Sequence, residues 1–135
     1  MVTMISLVSL LVIPGSAQAD PYVGALDGVN SQMVDNIYGW ACDTQNPSQT
    51  WSTTSIVIYR INATGSVTVM ENQASGVYRP EHSSACGGFQ YSGFALMGWY
   101  ITYPFPNTFV VFAKNTATGQ LTWLGTRTLP GHGSY

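Results

Sequence analysis

Beyond residue 19 the dominant period of apolar and polar positions is two, with β-branched and aromatic residues in short runs separated by Gly, Asn, Pro and Ser. Ser55-Ile56-Val57-Ile58-Tyr59-Arg60-Ile61 is rich in β-branched and aromatic side chains and reads as a strand. The turn Asn62-Ala63-Thr64-Gly65 leads into Ser66-Val67-Thr68-Val69-Met70, which predicts a hairpin with its glycine at a positive φ. A second hairpin follows the same logic. Thr108-Phe109-Val110-Val111-Phe112-Ala113-Lys114 and Gln120-Leu121-Thr122-Trp123-Leu124-Gly125-Thr126 flank the turn Asn115-Thr116-Ala117-Thr118-Gly119. Two further strands are expected at 36–41 and 89–96, and few stretches read as helix. Seven or eight short strands with hairpin-length connections predict an all-β chain. The economical fold is a single antiparallel β-sandwich, immunoglobulin-like or jelly-roll-like, with a small barrel as the alternative. The glycine-bearing tail Pro130-Gly131-His132-Gly133-Ser134-Tyr135 should be loose.

The amino terminus breaks this pattern. The apolar run Leu7-Val8-Ser9-Leu10-Leu11-Val12-Ile13 precedes Pro14-Gly15 and the small-residue segment Ser16-Ala17-Gln18-Ala19. The run is too short to span a bilayer, and Ala17 and Ala19 suit a signal peptidase, so residues 1–19 read as a secretion signal. Residues 20–135 form the expected domain, of a size for one core. No cysteine follows the apolar run to take a lipid, so the mature chain is expected to be soluble, without membrane insertion, and secreted, periplasmic or extracellular.

Charge excludes some partners. Charged residues make up 7% of the chain and the formal net charge is −2, against about 25% charged in ordinary domains. Four scattered basic residues, Arg60, Arg79, Lys114 and Arg127, cannot neutralise a useful number of phosphates. Nucleic acid is therefore not an expected partner. The cysteine count is even, Cys42 and Cys86, which in an exported chain predicts one disulfide. The two histidines, His82 and His132, form no ligand-spaced cluster with them, so no metal and no other cofactor is expected.

At Gly24-Ala25-Leu26-Asp27-Gly28-Val29, and again at Ile37-Tyr38-Gly39-Trp40-Ala41-Cys42-Asp43 followed by Asn46-Pro47-Ser48, the chain resembles a module of bacterial secreted and surface proteins with a Gly-Trp-Ala-x-Asp signature. The similarity continues through Ile58-Tyr59 and Ala74-Ser75-Gly76-Val77-Tyr78-Arg79-Pro80-Glu81 and fades beyond Gly88-Phe89 or Phe94. The resemblance implies a β-sandwich attached to larger enzymes or adhesins, with a non-catalytic accessory role. The Cys42/Cys86 pair departs from that pattern.

Read without the family, Trp40 between Gly39 and Ala41 is expected to turn inward and fill the core. Asp43 is placed to accept from turn amides, and Asp27 reads as a turn former. Arg79, in so charge-poor a chain, is expected to pair with an inward carboxylate such as Asp27 or Asp43. Catalytic inventory is thin. Glu81-His82 beside Ser83-Ser84 is the best local cluster, but adjacent residues on an extended chain point to opposite faces, so no enzyme activity is expected. Binding is the better prospect. The segment 98–106 crowds Trp99, Tyr100, Tyr103 and Phe105 together, and its prolines discourage complete burial. Trp51, among polar neighbours, is a further candidate surface ring, with exposure more credible there than at Trp40 or Trp123. Trp51, Trp99, Tyr100 and Tyr103 are thus the candidate ligand-binding residues, and rings of this kind suit stacking on sugars. The leading function is a secreted binding module for an extracellular glycan. The alternatives are a structural or protein-interaction module of a surface assembly, and, less favoured, a small hydrolase.

Overall fold

The computed structural model of the protein describes residues 21–31, 34–73, 76–100, 105–131 and 133–134, without the side chains of residues 31, 34–35, 97–100 and 133–134. Eight strands, β1 (Tyr22–Ser31), β2 (Val34–Asp43), β3 (Thr54–Ile61), β4 (Val67–Asn72), β5 (Gly93–Tyr100), β6 (Asn107–Asn115), β7 (Leu121–Leu129) and β8 (Gly133–Ser134), form two antiparallel sheets. The first has the order β5-β2-β1-β8 and the second β4-β3-β6-β7. One short helix, α1 (Thr50–Thr53), follows a 3-10 turn at Pro47–Gln49. The expected all-β sandwich is therefore formed.

Both expected hairpins are present, as β3–β4 and β6–β7, and Gly65 has φ +87° in the first turn. There the Asn62 side-chain oxygen accepts from the Thr64 and Ser66 amides at 3.0 and 3.1 Å, closing the loop locally. Alternation places Ile56, Ile58, Phe109, Val111 and Ala113 on the inner face of the second sheet. They meet Leu26, Val29, Ile37, Ala41, Phe94 and Leu96 of the first, and Leu129 joins them. Burying side chains of this size stabilises the domain by roughly 1.5–3 kcal/mol each before chain entropy is counted.

Several expectations change. β1 has no strand-like alternation in the sequence, because Leu26 and Val29 both face the core yet differ by three positions. A bulge reconciles them: Leu26 pairs with Gly39 and Gly28 with Tyr38, so Asp27 is left without a partner residue and the side-chain parity resets there. Asp27 is thus a bulge residue and not a turn former. The strand expected at 89–96 is β5, Gly93–Tyr100. The tail, expected to be loose, contributes β8, whose Ser134 and Gly133 pair with Asn30 and Ser31.

Trp40 is the largest correction. Ile37, Gly39 and Ala41 face inward, which sends Tyr38 and Trp40 to the outer face of the first sheet. Gly39 shows why: a Cβ there would lie 2.3 Å from the Ala25 carbonyl oxygen and 2.9 Å from the Phe94 ring. The glycine and alanine are small because β1 and Phe94 press against them, so the indole takes the other side.

Candidate binding surface

The segment 76–92 folds back over the outer face of the first sheet, and four interactions hold it there. Cys86 is disulfide-bonded to Cys42 of β2, 44 positions away. His82 stacks on Trp40, with ring centroids 4.0 Å apart and planes 9° from parallel. Arg79 reaches across the sheet to Asp27, with Nη2 2.8 Å from Oδ2. Val77 forms a bridge to Gly93 of β5, and within the segment the Arg79 amide donates to the Gln90 carbonyl at 2.7 Å. Gly93 makes room for the arginine, since a Cβ there would be 2.6 Å from Arg79 Cγ.

Arg79 is the hub of this latch. Its Nε donates to Glu81 Oε2 at 2.6 Å, and its Nη2 lies 2.9 Å from His82 Nε2. Desolvation disfavours its charge, but the hydrogen bonds it donates to Glu81 and Asp27 outweigh that and raise its pKa above the ordinary value. Glu81 is held below the usual carboxylate range, first by the Arg79 hydrogen bond. The expected Arg79–Asp27 pair is therefore formed. Asp43 behaves as expected too, its Oδ1 accepting from the Gln45 and Asn46 amides at 2.9 and 3.2 Å.

Glu81 and His82 do act together, contrary to the extended-chain argument. Pro80–His82 is a 3-10 turn, in which successive side chains need not point to opposite faces, and both side chains converge on Arg79. Chemically the cluster is a clamp. Its acceptor positions face an arginine, and among the described residues no three His, Cys, Asp or Glu side chains are arranged to hold a metal.

What the latch presents outward is aromatic. Tyr78 is 55% exposed and Tyr91 52% exposed, and their rings lie 5.4 Å apart at 52°. Phe89 meets Tyr91 edge-on at 6.3 Å. The strand-like pairing of 77–79 with 90–93 sets these rings side by side on one surface.

The ring residues singled out in the sequence fall elsewhere. Trp51, in α1, is partly buried against the core, meets Phe94 edge-on, and donates its Nε1–H to the Tyr91 carbonyl at 2.8 Å. That bond ties α1 to the backbone of the segment that carries Tyr91. Trp99 and Tyr100 end β5, opposite Asp35 and Val34; their side chains and the whole of Tyr103 lie outside the described residues, as does the leader 1–19. Trp123, expected to be less exposed than Trp51, is 63% exposed on the outer face of the second sheet. Tyr78, Phe89 and Tyr91 were missed. Their signal was the punctuation around them, Pro80, Gly87-Gly88 and the pinning Cys86, which keeps this stretch irregular and its rings out of the core.

No family model matches the chain, and neither a curated protein nor a solved structure does.

Proposed function

We propose that the protein is a secreted, non-catalytic module that binds an extracellular carbohydrate through surface aromatic rings. The observation that carries this reading is the exposed Tyr78–Tyr91 pair, mounted on a segment that a disulfide, an ion pair and a ring stack hold to the sheet. Rings fixed before the ligand arrives lose little side-chain freedom on binding, and flat apolar faces with polar hydroxyl edges match sugar rings. The commitment of Glu81 and His82 to Arg79 favours binding over hydrolysis. The Gly-Trp-Ala-x-Asp resemblance implies the same accessory role. The leader-like residues 1–19 and the Cys42–Cys86 disulfide suit export, and among the described residues no helix is long and apolar enough to cross a membrane.

The test is titration of the exported protein with soluble cello-, chito- and malto-oligosaccharides, followed by heteronuclear NMR. Affinity should be micromolar to millimolar, because each stacked ring contributes on the order of 1 kcal/mol. Shifts should centre on Tyr78, Phe89 and Tyr91, and Tyr78→Ala and Tyr91→Ala should each weaken binding with folding intact. Oligosaccharide binding that survives both substitutions together, or no shift with any of the three series, overturns the reading. A second reading, a structural or protein-interaction module, is favoured by the outer face of the second sheet, which no loop covers among the described residues and on which Val67 and Val69 are more than half exposed.

A further inference from the structure

The rings on the latch are not laid out flat. Tyr78 and Tyr91 lie 5.4 Å apart with 52° between their planes, and Phe89 is turned 60° from Tyr91 at 6.3 Å. Each ring is neither stacked on the next nor coplanar with it. The backbone fixes that arrangement before a ligand arrives. Val77 and Gly93 bond each other in both directions, at 2.7 and 2.9 Å, and the Arg79 amide donates to the Gln90 carbonyl, so both neighbours of Tyr78 are tied. Around Tyr91, the Trp51 Nε1–H donates to its carbonyl at 2.8 Å, and the Ser92 carbonyl accepts from the Ala41 amide of β2 at 2.9 Å. Rings mounted on so constrained a backbone keep their mutual tilt at little entropic cost on binding.

Charge narrows the ligand further. Arg79 meets the Asp27 carboxylate at 2.8 Å and that of Glu81 at 2.6 Å, and its Nη2 lies 2.9 Å from His82 Nε2. A guanidinium so engaged is not offered to an acidic sugar, and the Glu81 side chain, 54% exposed, repels one. The two tyrosine hydroxyls and Gln90, exposed between Phe89 and Tyr91, supply neutral donors and acceptors instead. Uncharged hydroxyls are what such a surface matches.

The geometry points to a neutral α-1,4-linked glucan as the ligand class of this site, an assignment that rests on the tyrosine pair being a carbohydrate site. In a β-1,4-linked chain both bonds to each sugar ring are equatorial and successive units flip by a half-turn, which leaves their faces parallel in one ribbon. A ribbon needs coplanar rings beneath it. In an α-1,4-linked glucan one of the two bonds is axial, so each unit is turned against the one before and the chain curls. Tyr78 and Tyr91, tilted by 52° with their centres about one sugar unit apart, can each take a face of adjacent units in such a chain. A ribbon seated on one of them leaves the other unused.

Titration of the full exported chain with maltotriose, cellotriose, chitotriose and trigalacturonate, followed by heteronuclear NMR, reads the preference directly. Maltotriose should bind roughly fivefold tighter than cellotriose or chitotriose, the worth of one ring contact. Trigalacturonate, which is α-1,4-linked but acidic, should not bind. Tyr91→Ala removes the ring that touches both others and should bring maltotriose and cellotriose to equal affinity; Tyr78→Ala should narrow the gap. Tyr78 and Tyr91 are both more than half exposed, and the Trp51 bond is to the Tyr91 backbone, so unaltered thermal unfolding checks that the variants fold. Equal affinity for maltotriose and cellotriose in the wild type, a preference for cellotriose or chitotriose, a maltotriose preference that survives Tyr91→Ala, or trigalacturonate binding as tight as maltotriose overturns the α-glucan assignment and leaves a carbohydrate site standing. Binding of none of the four overturns both.

Discussion

The two outer faces of this sandwich solve one problem in opposite ways. Each sheet has an inner face filled by the shared core and an outer face that carries large side chains, Tyr38 and Trp40 on one, Tyr59, Phe112 and Trp123 on the other. On the first sheet the chain covers the indole itself, laying 76–92 across it and fastening that segment with Cys42–Cys86, Arg79–Asp27 and the His82–Trp40 stack. On the second, Tyr59 and Phe112 meet edge-on and Thr126 accepts the Trp123 Nε1–H, with no covering segment among the described residues. The difference teaches that where an outward indole ends up is decided by long-range contacts: among the described residues the chain latches a segment over one face and none over the other.

The sharpest way to break this contrast is to remove what both faces share. Phe109, fully buried between the sheets, should cost roughly 3–5 kcal/mol as Phe109→Ala and lower the melting temperature with no preference for either face. Unaltered melting of that variant would mean that the sheets do not pack as described. Next in size is the latch. Closing a loop of 44 positions removes unfolded-state entropy worth roughly 4 kcal/mol in the chain-entropy model, so the Cys42→Ser, Cys86→Ser double variant should lose several degrees or more of melting temperature. Its amide exchange should quicken first at Val77 and Arg79.

Trp40→Ala and Arg79→Ala sharpen the comparison at a smaller scale. Trp40→Ala removes the stack on His82 and Arg79→Ala the bonds to Asp27, Glu81 and His82; as these contacts are partly exposed, each variant should cost about 1–2 kcal/mol by chemical denaturation, against the larger loss a core indole would show. A loss of core size for Trp40→Ala would restore it to the interior. Acid is a gentler probe. Arg79 lowers the pKa of Glu81, so the folded state holds that proton less readily than the unfolded chain. The resulting stabilisation is complete above the ordinary carboxylate range and is lost as pH falls through the lowered value. Glu71, lowered first by the Ser55 hydroxyl and then by Lys114, follows the same sign on the other sheet. Hydrogen exchange during acidification should therefore show Arg79 and Val77 opening while Ile58 stays protected; simultaneous loss would deny the latch a separate existence. Smallest of all, Trp123→Ala should change stability by no more than about 0.5 kcal/mol, since its ring is mostly in solvent.

Hairpins were the most legible part of the chain. In β3–β4 and β6–β7 the period-two pattern and the turn residues act within one continuous stretch, Thr54–Asn72 and Asn107–Leu129, so local chemistry suffices to specify them. β1 was illegible for the converse reason. Its Leu26 and Val29 agree on a face only because Asp27 bulges, and the bulge is stabilised by Arg79, 52 positions away by number but in direct contact. The candidate rings divide in the same way. Composition and prolines pointed to 98–106 and to Trp51, whereas exposure at Tyr78 and Tyr91 depends on how the segment bearing them is pinned to the sheet.

By itself the sequence determined an all-β sandwich, one disulfide, the Arg79–Asp27 pairing as one of two choices, and a chain poor in charge. Those properties follow from periodicity, cysteine parity and charge count, which do not depend on register. Only the tertiary structure decided which way Trp40 points, that Glu81 and His82 serve one arginine, and that Trp123 stands in solvent. A strand's alternation says that neighbours face opposite ways without saying which way is in. That choice is made by what the other sheet leaves room for, here a gap between Ala25 and Phe94 that admits a glycine and turns the indole outward.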